Sequence, residues 1–287
     1  MAGKIKKNTT EIAPKKVETK TLNPSWESVL IARHQNRPYF SEYAQGLFTD
    51  FVELHGDRRF SDDKAISGGF ARLGGVPVMV IGHNKGGTEV AQKAEHRFGL
   101  PFPDGYRKAL RLMELAQKFN VPIVTLIDTS GAYPGIEGEE RGQAEAIARN
   151  LVEMAQLEVP VVCVVVGEGG SGGALGIGVG DCIMMLENSV YSVISPEGCA
   201  GILWRDGTKA ELAAAALKIT AKDLLGFGII DKIIPEPNGG AHKNHNETFE
   251  NIKNAVLVEL EELLKLTPQK RIQRRIDKFA KMGVFSE

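Results

Sequence analysis

Residues Val161 to Val166 form a run of six apolar, mostly β-branched residues that feeds straight into Gly167-Glu-Gly-Gly-Ser-Gly-Gly173. A strand that is apolar at every position is buried on both faces, so helices must cover both sides of its sheet. That requirement selects a layered α/β architecture. Five of the seven residues after the strand are glycine. If the chain coils there, bare backbone N–H groups stand at the positive end of a helix dipole with no side chain in front of them. Such places hold phosphates or stabilise oxyanions.

Three chemistries fit the same seven residues. Gly167-x-Gly169-x-x-Gly172 satisfies the dinucleotide fingerprint, with Glu187 about twenty residues further on. Its helix would have to fit between Gly172 and Ile183 and would contain Gly176, Gly178 and Gly180, each costing roughly 1 kcal/mol against alanine. Gly169-x-Ser171-x-Gly173 satisfies the nucleophile-elbow pattern, and Asp231 and His242 follow in the chain order of a serine hydrolase triad. In the third reading, Gly172 and Gly173 donate backbone amides to an oxyanion and Ser171 only caps the helix. A Walker-type phosphate loop is excluded, because no Lys-Ser/Thr pair follows the glycines.

Global properties narrow the class but not the choice. With 287 residues, 43% of them hydrophobic, the chain can bury one large core or two small ones. A net charge of −1 gives no reason to expect nucleic acid or an anionic membrane as a partner. The apolar runs are too short and too broken by glycine to span a bilayer. Cys163, Cys182 and Cys199 are dispersed and odd in number, which argues for a reducing compartment and against a zinc site. His242 and His245 lie in a polar loop, and no metal site is expected on this chain. Neither a signal-peptide core nor a transit peptide is visible at the N-terminus, so a cytoplasmic location is expected.

Patterning divides the chain into four parts. Residues 1–22, with six lysines and few apolar residues, read as a disordered tail. Residues 23–60 read as an N-terminal helical region anchored by Trp26, Phe40, Tyr43 and Phe48, and residues 61–245 as the core. In the core, Ala65–Leu73 and Val76–Ile81 flank Gly74-Gly75 as a hairpin. Helix over Tyr106–Phe119, strand over Ile123–Ile127 and a second helix to about Leu157 follow, the last with an outward Glu145–Arg149 pair. Beyond the glycine strand, Ser195 and Pro196 open a helix, and Thr208-x-x-Glu211 and Thr220-x-x-Asp223 read as capping signals. Residues 246–287 read as C-terminal helices that pack on the core or a partner. Their last segment, Lys270 to Lys281, has six basic residues and reads as a surface or subunit-contact helix.

Four ordered motifs carry more information together than apart: Ile127-Asp-Thr-Ser-Gly-Ala-Tyr-Pro-Gly135, Glu139-Glu-Arg-Gly-Gln143, Gly167 to Leu175, and Tyr191-Ser-Val-Ile-Ser-Pro-Glu-Gly-Cys199. With these, and with Gly105 to Met113, the chain resembles the α subunit of the bacterial acetyl-CoA carboxylase carboxyltransferase from about Arg37 to His242. The resemblance implies a crotonase-like α/β fold, a spiral of ββα units with flanking helices. It implies transfer of CO2 from carboxybiotin, on a separate biotin carboxyl carrier protein, to acetyl-CoA, giving malonyl-CoA for fatty-acid synthesis. The implied partners are a zinc-ribbon β subunit in an α2β2 assembly, the carrier protein and a biotin carboxylase. The ureido anion left by CO2 release takes a proton from the acetyl group, and the resulting enolate attacks CO2. Two oxyanions therefore develop, and fixed backbone amides suit both. By this resemblance Gly172 and Gly173 hold the biotin ureido oxygen, the β subunit supplies the enolate hole, and Gly131, Ala132, Gly169, Gly170, Ser195 and Gly198 contact substrate. Ser130 stands where the family's loop usually has proline, and a looser turn is expected there. The N-terminal region is also shorter than is common in the family.

Overall fold

The computed structural model describes residues 23–284, so the lysine-rich tail expected over residues 1–22 lies outside the described residues. Eight strands form one sheet: β1 (Thr49–Glu53), β2 (Ile66–Leu73), β3 (Val76–His83), β4 (Ile123–Thr129), β5 (Val161–Gly170), β6 (Cys182–Leu186), β7 (Val190–Ser192) and β8 (Lys232–Ile234). They run in the order β1-β2-β3-β4-β5-β6-β8, with β7 attached to β5. The hairpin β2–β3 turns on Gly74 and Gly75, at φ +55° and +86°. Positive φ at both central positions is what the primed two-residue turn requires. From β3 onward every pairing is parallel, and parallel neighbours need crossovers through helices.

Alternation along β5 shows why its apolar run is unbroken. Val161, Cys163 and Val165 join one core, packed beneath the helices Pro103–Lys118 and Gln143–Gln156. Val162, Val164 and Val166 join a second core, under the helices Phe40–Leu47 and His245–Leu264. Each face of the strand thus meets its own helical layer, as the period-two geometry of a strand dictates. Phe249, Ile252, Val256, Leu260 and Leu263, the apolar stripe legible in the sequence, are all buried in that second layer.

Several local expectations are corrected. Residues 23–60 are not purely helical, because β1 adds a strand to the sheet edge. Its burial is uniformly low and carries no alternation to reveal it. Arg149 pairs with Glu153, one turn onward, and not with Glu145. Thr208-x-x-Glu211 is no capping box: Thr208 donates to Asp206, and Glu211 accepts the N–H of Asn23 at the start of the first helix. Thr220-x-x-Asp223 does form one. The basic segment forms the helix Pro268–Ala280, but its inward face is built from Arg271 and Arg275, both buried.

Candidate active site

The site forms where β5 changes neighbours. Val162 to Val165 pair with β6, whereas Glu168 to Gly170 pair with β7. β6 and β7 therefore diverge on one side of β5, and the chain leaves the sheet at Gly170 into a five-residue helix, Ser171–Leu175. Ser171 takes φ +52°, a left-handed conformation costly for a residue with a Cβ, as the price of this sharp turn. Gly170 occupies the N-cap and no side chain caps the helix, so Ser171 does not have the capping role expected of it.

The loop after β4 is pressed against this turn. A Cβ on Gly170 would lie 2.1 Å from the Ser130 carbonyl oxygen. One on Gly173 would lie 2.4 Å from the Gly131 carbonyl carbon and 2.5 Å from the Ala132 nitrogen. Backbone packs on backbone here, and only glycine permits it. Gly131, Ala132, Gly170 and Gly173 are therefore brought into one contact. Gly172 differs: its Cβ would meet only the Ile147 methyls, at 3.8 Å. Within the described residues no hydrogen bond occupies the N–H groups of Gly172 or Gly173, as expected in the first turn of a helix. The Thr129 hydroxyl holds the β4 loop in place, donating to the Gly99 carbonyl at 2.6 Å and accepting the Gly131 N–H at 3.0 Å. Ser130 is thus carried in a turn fixed by its neighbour, without proline.

Two cavities open beside β7. One, about 390 Å³, runs from Ser171 and Gly172 past Leu175, Ile183, Tyr191 and Leu224 and is mostly apolar. The other is small, and Ser130, Gly169, Gly170 and Ser195 line it. A Cβ on Gly169 would strike the Tyr191 ring at 2.7 Å. Ser195 caps the helix Pro196–Trp204, its Oγ accepting the Gly198 N–H at 3.1 Å. The Gly198 amide is therefore engaged within the fold.

Beneath the glycines lies a polar layer that sequence reasoning missed. Lys85 donates to Asp128 at 2.6 Å, and the same carboxylate oxygen accepts the Glu168 N–H at 2.9 Å. Arg33 reaches Glu168 at 2.8 Å and Glu197 at 2.6 Å, tying the first helix to β5 and to the helix after β7. Burial alone would lower the Lys85 pKa, but Asp128 and Glu168 outweigh it and hold it above the ordinary lysine value. Arg37 donates to the Val166 carbonyl at 2.6 Å and pairs with buried Glu236. Asp128 at the end of a buried strand and Glu168 between glycines were the available signals. Each is a carboxylate where the surrounding pattern is apolar or glycine.

His83, at the end of β3, is buried, with its Nδ1 facing the Asp128 N–H at 3.4 Å and the Gly173 backbone beside its ring. Burial pushes its pKa down to about 3, against a smaller opposing pull from Asp128. The folded state thus excludes a proton that the unfolded chain takes up near pH 6.5. This contribution to stability is complete above that pH and is lost as pH falls toward 3. Urea unfolding at pH 7, 5.5 and 4 should show a loss that is smaller in His83→Gln by roughly 1.4 kcal/mol per pH unit below 6.5. Parallel stability curves for the two proteins would refute this.

The triad reading is dismantled by the fold. Asp231 bonds the Ile183 N–H at the start of β6 and pairs with Lys278, whereas Ser171 follows the far end of the parallel strand β5. His242 stacks on His34 at 3.8 Å. The dinucleotide reading fails on its helix, which ends at Leu175. All three cysteines are free and buried. Among the described residues no group of three or more His, Cys, Asp or Glu could hold a metal ion, and no helix is long and apolar enough to cross a membrane.

The architecture is that of a class, the carboxyltransferases of crotonase-like fold. Solved members share the architecture. Transcarboxylase 12S, with methylmalonyl-coenzyme A and methylmalonic acid bound, superposes with a TM-score of 0.66 at 16% identity, over 85% of this chain and 45% of that one. The β subunit of Pseudomonas aeruginosa geranyl-CoA carboxylase gives 0.62 at 18% identity, over 86% and 46%. Within that class, residues 2–283 match the family model described as acetyl co-enzyme A carboxylase carboxyltransferase-like. Acetyl-coenzyme A carboxylase carboxyl transferase subunit alpha of Geobacter metallireducens is 58% identical over 91% of this chain and 82% of its own length. The same subunit of Bacillus cytotoxicus is 58% identical over 91% and 80%. The chain belongs to the family of acetyl-CoA carboxylase carboxyltransferase α subunits.

Proposed function

We propose that this chain is the half of the carboxyltransferase that receives carboxybiotin, with Gly172 and Gly173 donating their amides to the biotin ureido oxygen. The observation that carries this reading is that both amides are unpaired among the described residues and that Gly172 lines a largely apolar cavity of about 390 Å³. Fixed donors facing an apolar space need no reorganisation as charge develops, and water does not weaken them. Carboxybiotin, delivered on its carrier protein, supplies CO2 and an oxygen that becomes negative as the CO2 leaves. Gly131, Ala132 and Gly170 set the position of the donors by backbone contact. Gly169 gives the Tyr191 ring room beside β5, and Ser195 with Gly198 shapes the helix that follows β7. No side chain here is placed as a nucleophile, in keeping with a reaction whose proton transfer and bond formation occur between two bound substrates.

One pair of amides serves one oxyanion, so the acetyl-CoA enolate requires a second hole. We assign it to a zinc-ribbon β subunit within an α2β2 assembly that works with a biotin carboxylase and the biotin carrier in the cytoplasm. The purified chain alone should show no biotin-dependent decarboxylation of malonyl-CoA, and adding the β subunit should restore it. Full activity from the single chain would overturn the division of labour.

A further inference from the structure

The amides of Gly172 and Gly173 belong to a helix of only five residues. A helix so short cannot sustain its own geometry in water, and its glycines add backbone freedom. Something outside it must set its direction. Two fully buried side chains meet it from below. The Tyr106 hydroxyl donates to the Gly173 carbonyl at 3.1 Å. Asn150 donates through Nδ2 to the Gly176 carbonyl at 2.8 Å and to the Tyr106 carbonyl at 3.0 Å. The Tyr106 ring is itself wedged against the turn, since a Cβ on Gly176 would lie 2.6 Å from it.

Carbonyls and N–H groups of a helix point in opposite directions along its axis. Holding the Gly173 and Gly176 carbonyls at the inner end therefore aims the free amides outward. We infer that Tyr106, and Asn150 behind it, are positioning residues that fix the orientation of the Gly172–Gly173 amides for the transferring oxyanion. This rests on the proposed role of those amides. Neither side chain reaches the cavity mouth, so neither needs to touch substrate. They come from two different helices, Pro103–Lys118 and Gln143–Gln156, and Asn150 ties both to the turn.

The test uses the reconstituted αβ complex carrying Tyr106→Phe, which keeps the ring and removes only the hydroxyl. Misplacing fixed donors by a fraction of an ångström lowers the rate of the chemical step without weakening distant binding contacts. The expected result is a kcat reduced 10- to 100-fold, a KM for acetyl-CoA within two-fold of wild type, and faster hydrogen exchange confined to residues 171–178. Gly172→Val, whose Cβ would lie 3.8 Å from the Ile147 methyls, is assayed beside it. A Tyr106→Phe enzyme with wild-type kcat, while Gly172→Val is inactive, overturns the positioning role and leaves the amide site standing. If both variants are active, the amide site falls and the inference with it. Should Tyr106→Phe fail to assemble, Asn150→Ser removes the hold on Gly176 from the other side and carries the same expectation.

Discussion

Replacing Gly173 with valine should abolish malonyl-CoA formation by the reconstituted enzyme and destabilise the loop that follows β4. A Cβ at this position falls 2.4 Å from the Gly131 carbonyl carbon, 2.5 Å from the Ala132 nitrogen and 2.8 Å from the Gly131 Cα. These are backbone atoms and cannot swing aside as the end of a flexible side chain can. Either the Thr129–Ala132 loop lifts, breaking the bonds from the Thr129 hydroxyl, or the short helix rotates away and takes its amides with it. Loss of a single oxyanion donor is worth roughly 10²–10³ in rate, and here both donors move together. Beyond any clash with bound substrate, the contact with Gly131 and Ala132 adds a structural loss. Gly172→Ala is the control, because its methyl would sit 3.8 Å from Ile147. Circular dichroism should show Gly172→Ala folded as wild type and Gly173→Val with a lowered melting point. Activity of Gly173→Val within a few-fold of wild type would remove this turn from the mechanism.

The difference between these two neighbouring glycines marks how far sequence reading reaches. The buried strand Val161–Val166, the Gly74-Gly75 hairpin and the stripe from Phe249 to Leu263 were legible because each follows from spacing within a few residues. The glycine turn was also legible, but not which of three chemistries it serves. Setting two of them aside depends on the partners that Asp231 and His242 take in the fold, and on the helix stopping at Leu175. Both are long-range facts. The same holds for Tyr106: in the sequence it is one more apolar residue on a helix face, and its hydroxyl acquires a role only because Gly173 arrives 67 residues later. Strand β1 was missed because an edge strand exposed at four of its five positions has no apolar alternation to display. Lys85, Asp128 and Glu168 were missed because ion pairs between the ends of separate strands leave no periodic trace.

Arg275→Ala should produce the largest loss of stability of any single substitution considered for this chain, roughly 3–5 kcal/mol. The expectation runs against the sequence pattern, in which Lys270 to Lys281 looks like a solvated basic face. Arg275 is buried, and its guanidinium makes five hydrogen bonds. Nε and Nη2 grip Asp181 at 3.0 and 2.7 Å, Nη1 bonds the Met154 and Leu157 carbonyls at 2.5 and 3.0 Å, and Nη2 also bonds the Val159 carbonyl at 3.2 Å. Asp181 in turn accepts the Val161 N–H at 2.8 Å, so this arginine is linked to the first residue of the strand that leads into the glycine turn. Removing it strands a nearly buried carboxylate and three carbonyls at the end of the helix Gln143–Gln156. Arg275→Lys should recover little, because a single ammonium cannot reproduce the planar fork. Arg274, one residue away and exposed, is the matched control and should change stability by less than about 0.5 kcal/mol when replaced by alanine. Urea unfolding of the three variants gives the comparison directly. A loss below about 1 kcal/mol for Arg275→Ala would mean that Asp181 finds water without the helix, and that the basic segment is the surface feature its sequence suggests.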